Sequence, residues 1–254
     1  MPHYYIFNKD DQILLINNSI PTILPPNIPL ENCHAFAPEE YLYRLQEHQI
    51  TDIPSADFLP LRSTYTLLSQ DEYQRAGKAW ELLYWNEQTR YCSLCGAPMT
   101  WYSSISLICT QCGREIWPQL NIAIIVLVHK DEKALLVKAK SFRRDFFGLV
   151  AGFVETGEDL EECVAREVME ETSIHINHIR YFASQPWPYP LGLMVGFHAD
   201  YVDGEICFAD GELKEGAFFS REELPRHADG SLALPGAESM ARRLIDDWIL
   251  KSDS

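Results

Sequence analysis

The stretch of residues 152–174 constrains the fold most, because its periodicity predicts a helix with three carboxylates on one face. Glu167, Glu170 and Glu171 lie at positions i, i+3 and i+4, which are neighbours on a helix. The same stretch carries an apolar stripe for a core: Leu160, Cys163, Val164, Val168 and Met169. Like charges at this spacing repel each other, so the cluster favours a bound hard cation with oxygen ligands. The alternative is an ordinary amphipathic helix with a solvated acidic face.

Two Cys-x-x-Cys pairs, separated by thirteen residues, form a second motif: Cys92 with Cys95, and Cys109 with Cys112. This spacing is close to that of zinc sites, and a glycine after each pair permits a tight turn. The motif predicts a zinc ribbon over residues 89–116, and two disulfides or a redox pair are the alternatives. Because the N-terminus lacks the regions of a signal peptide, the cysteines favour a reducing, cytoplasmic location.

Composition excludes some classes of protein. A hydrophobic content of 46% supports a packed core, and no apolar run reaches the roughly eighteen residues of a membrane helix. The net charge of -16 argues against a broad electrostatic surface for nucleic acid. A polyanionic substrate is still compatible with this charge, because bound cations invert the local field at a carboxylate site.

The distribution of apolar residues predicts an α+β fold without regular β-α-β alternation. Strands are predicted over residues 4–7, 13–16, 122–128, 134–138, 147–153, 195–201 and 216–219. Besides the acidic helix, helices are predicted over residues 66–86 and from residue 232 or 237 to residue 250.

The acidic helix and the glycine before it resemble the Nudix box, G-x5-E-x7-R-E-U-x-E-E-x-G-U. Its fixed positions are occupied by Gly152, Glu158, Arg166, Glu167, Glu170 and Glu171. Only the final glycine differs, and Ser173 stands in its place. In the family that glycine lies just past the helix, where a left-handed residue is favoured, so serine there costs about 1 kcal/mol. The resemblance implies an α/β/α sandwich with a mixed sheet, and a hydrolase of nucleoside diphosphate derivatives.

Three alternating prolines mark the segment Ser184-Gln185-Pro186-Trp187-Pro188-Tyr189-Pro190, called here the proline segment. The prolines impose a stiff, extended chain that presents Trp187 and Tyr189 for stacking on a base or nicotinamide ring. The alternative is that these aromatic rings cap the core. With the four residues that follow, the segment is similar to the S-Q-P-W-P-F-P-x-S-L-M signature of NADH pyrophosphatases within the Nudix superfamily. Tyr189 replaces Phe in that signature, and Gly192 replaces Ser.

The resemblance implies a role for each residue that matches the family pattern. Mg²⁺ or Mn²⁺ is expected at the Ala151 carbonyl, Glu167 and Glu171, with Glu170 as a ligand or the general base. A downstream acid completes the site, either Glu212 or the competing Glu215. Arg166 is expected to pair with a box carboxylate, and a contact with substrate phosphate is the alternative. Members of the family also carry a structural zinc ribbon, which corresponds here to Cys92, Cys95, Cys109 and Cys112.

Substrate contacts are expected along the proline segment and at a few positions elsewhere. By resemblance these residues are Arg62, Trp117, Phe153, Gln185, Pro186, Trp187, Pro188, Tyr189, Pro190, Leu191, Gly192 and Ala241. Trp117 stands where the family commonly has Tyr, which keeps the stacking surface and removes a hydroxyl. Arg62 is a candidate phosphate contact, and an ordinary surface arginine is the alternative.

The family resemblance implies hydrolysis of the pyrophosphate bond of NADH or NAD, which gives AMP and NMN in its reduced or oxidised form. A related hypothesis is removal of NAD caps from RNA 5′ ends, guided by a basic patch at Lys138, Lys140, Arg143 and Arg144. The alternatives are hydrolysis of ADP-ribose or another nucleoside diphosphate derivative, and a zinc-ribbon binding module without catalysis. The expected organisation is a small N-terminal α+β domain (1–88), the ribbon (89–116) and a Nudix hydrolase domain (117–254). Relatives are homodimers, so a homodimer is expected here.

Overall fold

The computed structural model describes residues 1–46, 55–140, 146–208, 211–227, 229–230 and 232–251. The chain divides into two compact units, Met1–Leu120 with Pro186–Leu191, and Asn121–Gln185 with Gly192–Ser254. Across the described ranges, no helix combines the length and apolar character needed to cross a membrane. The three-domain division drawn from the sequence stays a prediction.

A five-stranded sheet forms the base of the first unit. Its strands are β1 (His3–Phe7), β2 (Gln12–Ile16), β3 (His34–Ala37), β4 (Glu40–Arg44) and β5 (Ala56–Pro60). The spatial order is β3-β4-β1-β2-β5, in which β1 and β4 are parallel and the other neighbours antiparallel. The sequence predicts β1 and β2 nearly at these bounds but misses β3, β4 and β5.

Helix α1 (Gln70–Gln88) packs its apolar face against this sheet. The predicted start at residue 66 is wrong, because Leu61–Thr66 forms a 3-10 helix and α1 begins only after Ser69. Ser69 and Glu72 form a capping box, in which each side chain accepts a hydrogen bond from the other's backbone N–H, at 3.3 and 3.0 Å. These two bonds satisfy free N–H groups of the first turn and fix where the helix starts.

The first unit also holds a small antiparallel sheet of β6 (Met99–Trp101), β7 (Leu107–Cys109) and β8 (Glu115–Ile116), in that order. Gly96 and Gly113, which follow the two cysteine pairs, have φ angles of 75° and 71°. The left-handed backbone is open to glycine at no steric cost, so both predicted tight turns are confirmed.

A six-stranded sheet and two helices form the second unit. The strands are β9 (Asn121–Lys130), β10 (Lys133–Ala139), β11 (Val150–Phe153), β12 (His175–Pro186), β13 (Gly192–Asp203) and β14 (Leu213–Phe219). The order is β12-β13-β9-β10-β14, and β11 pairs with β9 as well. The sheet is mixed, since β13 runs parallel to β9 whereas β10 and β11 run antiparallel to it.

The helices α2 (Leu160–Thr172) and α3 (Met240–Leu250) cover opposite faces of this sheet. Along β9, Ile124 and Val126 pack in the core with α2, whereas Ile125 and Leu127 pack in the core with α3. A strand buried on both faces has a continuous apolar run instead of an alternating one. This arrangement confirms the predicted α/β/α sandwich with a mixed sheet.

Two predicted boundaries in the second unit are wrong. The last helix begins at Met240 instead of residue 232 or 237, because Ser239 caps it by accepting a hydrogen bond from the Arg242 N–H. Strand β11 begins at Val150 instead of Phe147, because Gly148 makes only an isolated bridge to Val137.

Ser173 follows the last residue of helix α2, and its left-handed conformation (φ 59°, ψ 25°) confirms the expectation for this position of the box. We expect Ser173→Gly to raise the free energy of unfolding by about 1 kcal/mol, because glycine has no Cβ to clash in this conformation. Chemical denaturation of both proteins measures the difference. Ser173→Ala is the control: it keeps the Cβ and loses the hydroxyl that donates to the Cys207 carbonyl at 3.3 Å. Equal stability of the glycine variant and the wild type would contradict the prediction.

Candidate active site

The start of helix α2 determines which way its carboxylates face. Asp159 caps the helix by accepting a hydrogen bond from the Glu162 N–H at 2.8 Å, and Glu162 accepts one from the Asp159 N–H at 3.0 Å. This capping box fixes the first turn, and the apolar stripe buries Cys163, Val164 and Val168 against the sheet. The carboxylates of the box are therefore placed by the helix register.

Gly152 and Glu167 approach each other closely. A Cβ built on Gly152 would lie 1.9 Å from the Glu167 carboxyl carbon, nearer than non-bonded atoms can come. The Glu167 side chain is 14% exposed, and burial raises the pKa of its carboxyl group, against the opposing effect of the Arg166 guanidinium. The first position of the box must therefore be glycine, because any side chain there would occupy the space of the Glu167 carboxylate.

Arg166 bonds to three carboxylates of the box. Its guanidinium donates to Glu158 at 2.5 Å, to Glu167 at 2.9 Å and to Glu170 at 2.9 Å. It also donates to the Phe153 carbonyl at 3.0 Å, which ties α2 to the end of β11. Hydrogen bonding to Arg166 holds the pKa of Glu158 down at about 2. The predicted pairing of Arg166 with a box carboxylate is confirmed.

A cavity of about 460 Å³ in the second unit is lined by Ala151, Glu171 and Glu212, together with Lys140. Glu171 is only 6% exposed, which is rare for a carboxylate unless it is paired or bound to a metal. Glu215 does not line this cavity, and its carboxylate lies 4.0 Å from the Lys138 Nζ. Of the two downstream acids, Glu212 is therefore the one placed with Ala151 and Glu171.

These oxygen donors suit a hard divalent cation, because carboxylates and carbonyls are the ligands that such ions take. In the described part of the chain, only the four cysteines bring three or more ligand atoms within 4.8 Å of one another. Among the described residues, no three carboxylates of the box therefore form a cluster as compact as that of the cysteines.

The four cysteines of the predicted ribbon converge on one point. The Sγ atoms of Cys92 and Cys112 lie 3.7 Å apart, and those of Cys95 and Cys109 lie 3.4 Å apart. Tetrahedral thiolates at a zinc–sulfur distance of about 2.3 Å are separated by roughly 3.8 Å. The backbone N–H groups of Cys112 and Gln111 donate to the Cys109 Sγ and lower the pKa of its thiol to about 6. The arrangement is therefore compatible with a closed four-thiolate metal site.

Within the first unit, the proline segment packs against the core instead of projecting both rings into solvent. The Tyr189 hydroxyl lies 2.5 Å from the Tyr73 hydroxyl, and the Tyr189 ring meets the Trp187 ring edge-on at 5.2 Å. The Arg62 guanidinium lies over both rings, 4.8 Å from the Trp187 centroid and 4.6 Å from that of Tyr189. The capping alternative thus describes Tyr189, whereas Trp187 keeps a partly exposed surface.

The other expected substrate contacts differ in exposure. In the first unit Trp117 is exposed, and Leu191 is buried against Trp85 and Leu107. In the second unit Phe153 is exposed, whereas Gly192 and Ala241 are buried. The Gln185 amide donates to the Glu238 carbonyl at 2.6 Å. The structure therefore leaves Trp117 and Phe153 as accessible aromatic surfaces, one in each unit.

Lys138, one of the residues of the basic patch predicted to guide RNA, does not lie on the surface. This residue is buried on β10, with its ammonium group over the Phe147 ring at 5.3 Å. Lys140, which follows β10, is exposed. Arg143 and Arg144 lie outside the described residues.

The chain is similar to known proteins in its sequence and in its fold. Residues 117–242 match the profile of the NUDIX domain. A Pseudomonas aeruginosa (strain LESB58) protein named NAD-capped RNA hydrolase NudC is 35% identical over 213 residues, covering 84% of this chain and 74% of that protein. A Mycobacterium bovis (strain BCG / Pasteur 1173P2) protein of the same name is 38% identical over 212 residues, covering 78% and 66% of the two chains. A crystal structure of a NUDIX hydrolase from Nitrosomonas europaea aligns with a TM-score of 0.47 and 24% identity, covering 54% of this chain and 81% of that one.

Proposed function

Because this chain belongs to the NAD-capped RNA hydrolase family of the Nudix superfamily, we propose that it hydrolyses the pyrophosphate bond of NADH and NAD, including NAD at RNA 5′ ends. One observation supports this chemistry most: Ala151, Glu171 and Glu212 line one cavity, and Glu171 lies on the helix that carries the box. Water attacks one phosphorus and the bridging P–O bond breaks. The products are NMN, reduced or oxidised, and AMP or a 5′-monophosphate RNA.

The proposal includes Mg²⁺ or Mn²⁺ held by the Ala151 carbonyl, Glu167, Glu171 and Glu212. Such cations neutralise phosphate oxygens and lower the pKa of coordinated water when they are bound. The chain's own part is to keep these oxygen donors in place, and the contact between Gly152 and Glu167 restricts the Glu167 carboxylate. Glu215 is assigned no ligand role.

We assign Glu170 as the general base. Its side chain is 55% exposed, so its carboxylate reaches solvent and takes a proton from the attacking water. Arg166 donates to one Glu170 oxygen at 2.9 Å and leaves the other oxygen for that proton. Arg166 is therefore a positioning residue for both Glu167 and Glu170.

We assign the cysteine cluster to a structural Zn²⁺. Four thiolates leave no coordination position for water, so the ion has a folding role and takes no part in hydrolysis. The remaining assignments concern substrate: stacking on Trp117, Phe153 and Trp187, and contacts along residues 185–192 and at Ala241. A homodimer in the cytoplasm stays a prediction.

Arg62 is expected to support the aromatic pair of the proline segment. Arg62→Met removes the cation that lies over Trp187 and Tyr189, and a cation–π contact contributes about 0.5–2 kcal/mol. We expect KM for NADH to rise by roughly 3- to 10-fold, with kcat within twofold of the wild type. Arg221→Met, at an arginine that stacks on Trp248 in the second unit, is the matched control. An unchanged KM in Arg62→Met would make Arg62 an ordinary surface arginine.

The proposed function is tested by direct competition among substrates. The protein is incubated with Mg²⁺ or Mn²⁺ and equal concentrations of NADH, NAD, ADP-ribose and a short NAD-capped RNA, and products are separated by chromatography. Release of AMP and reduced NMN, or of NMN and 5′-monophosphate RNA, supports the proposal. Preference for ADP-ribose would assign the protein to that substrate, and no turnover of any compound would favour the non-catalytic module.

A further inference from the structure

Helix α1 provides a fixed point for the proline segment within the first unit. Tyr73 lies on the first turn of α1 and is only 8% exposed. The Tyr65 ring packs edge-on against the Tyr73 ring, with 5.2 Å between centroids. The Tyr73 ring is therefore held by packing in the core, and its hydroxyl lies 2.5 Å from the Tyr189 hydroxyl.

The same face of α1 gives the segment room to approach. Gly77 follows Tyr73 by four residues, and a Cβ built on it would lie 3.1 Å from the Pro188 Cγ. That distance is tighter than most Cβ contacts, so the Pro188 ring rests directly against the glycine backbone. Two successive positions on one helix face thus contact two residues of the proline segment.

Contacts pass from Tyr189 to Trp187. The two rings meet at an interplanar angle of 79°, and the Arg62 guanidinium lies over both. A shift of the Tyr189 ring would therefore change the surface that Trp187 presents. The order of contacts is Tyr73 to Tyr189 to Trp187, and it starts in the core of the first unit.

Tyr189 stands where the NADH pyrophosphatase signature has Phe, so this chain carries an additional hydroxyl in a half-buried position. A buried hydroxyl is unfavourable unless it finds a hydrogen-bond partner. We propose that Tyr73 is a positioning residue for substrate binding, which fixes the Tyr189 hydroxyl and thereby orients Trp187 before substrate arrives. This inference rests on the proposed function for its choice of substrate. Orientation in advance lowers the ordering cost of binding, so the effect falls on KM.

The test is a set of four variants assayed with NADH. Tyr73→Phe removes the hydroxyl to which the Tyr189 hydroxyl is bonded, and we expect KM to rise by about 3- to 10-fold with kcat within twofold of the wild type. Adding Tyr189→Phe removes the hydroxyl that lost its bond to Tyr73, so the double variant is expected to return to within about twofold of the wild-type KM. Tyr189→Phe alone completes the cycle. Tyr84→Phe, a half-buried tyrosine further along α1, is the matched control and keeps the wild-type KM.

A second measurement is independent of turnover. With 5-fluorotryptophan in the protein, the Trp187 resonance is identified by its loss in Trp187→Phe. We expect this resonance to shift or broaden in Tyr73→Phe and to recover in the double variant, while thermal melting confirms that each variant is folded. An unmoved resonance, or a double variant as impaired as Tyr73→Phe, would overturn the inference. If the wild type fails to hydrolyse NADH, the proposed function fails and the resonance still decides the role of Tyr73.

Discussion

Glu170→Gln is expected to lower kcat for NADH hydrolysis by about 10²- to 10⁴-fold, the usual contribution of a general base. Glutamine keeps an oxygen that accepts the Arg166 hydrogen bond but has no basic group for the proton of water. Because the side chain is more than half exposed, the substitution leaves the core intact. Single-turnover and steady-state rates at saturating Mg²⁺ measure the loss.

Glu161→Gln is the matched control for this prediction. Glu161 lies on the first turn of the same helix and is exposed, so its replacement removes the same charge without touching the Arg166 cluster. We expect its kcat to stay within twofold of the wild type. A Glu170→Gln enzyme with a rate near that of the control would exclude Glu170 as the base and leave Glu167 as the next carboxylate to test.

The second large effect concerns the cysteine cluster. Cys109→Ser is expected to abolish stoichiometric zinc binding and to unfold the three-stranded sheet β6-β7-β8, because the metal supplies about 10 kcal/mol or more to small zinc domains. Cys109 is buried, and its Sγ accepts hydrogen bonds from two backbone N–H groups, so serine reproduces neither the ligand nor its surroundings. Inductively coupled plasma mass spectrometry measures the number of zinc ions per chain, and thermal melting measures the loss of stability.

Cys207→Ser is the control, since Cys207 is an exposed cysteine outside the cluster. It is expected to keep one zinc per chain and the wild-type melting temperature. Full zinc occupancy in Cys109→Ser would show that three thiolates suffice. A wild-type protein purified without zinc, and equally stable with and without chelator, would refute the structural zinc.

Much of the second unit is predictable because short-range rules determine it. The carboxylates of α2 are three and four residues apart, so the helical period alone groups them. The apolar run of β9 signals a strand buried on both faces. By contrast, the starts of α1 and α3 depend on the caps Ser69 and Ser239, and apolar periodicity does not report these.

Long-range contacts are the part that the sequence alone did not reveal. Tyr73 and Tyr189 are separated by 116 positions, and neither local propensity nor motif spacing connects them. One signal was present, because Tyr in place of Phe adds a hydroxyl that needs a partner. Lys138 shows the same limit, since its burial accompanies packing of its ammonium group over Phe147 and does not follow from residue type.

The proline segment also has a consequence for dissecting the protein. Residues Pro186–Leu191 lie inside the NUDIX match in sequence, yet they belong to the first compact unit by their contacts. A fragment cut at the beginning of the match would keep these residues and discard Tyr73, Gly77 and Trp85, on which they rest. Such a fragment would expose Tyr189 and Leu191 as new apolar surface and be prone to aggregate. The NUDIX region is therefore not expected to be stable when the residues before it are deleted.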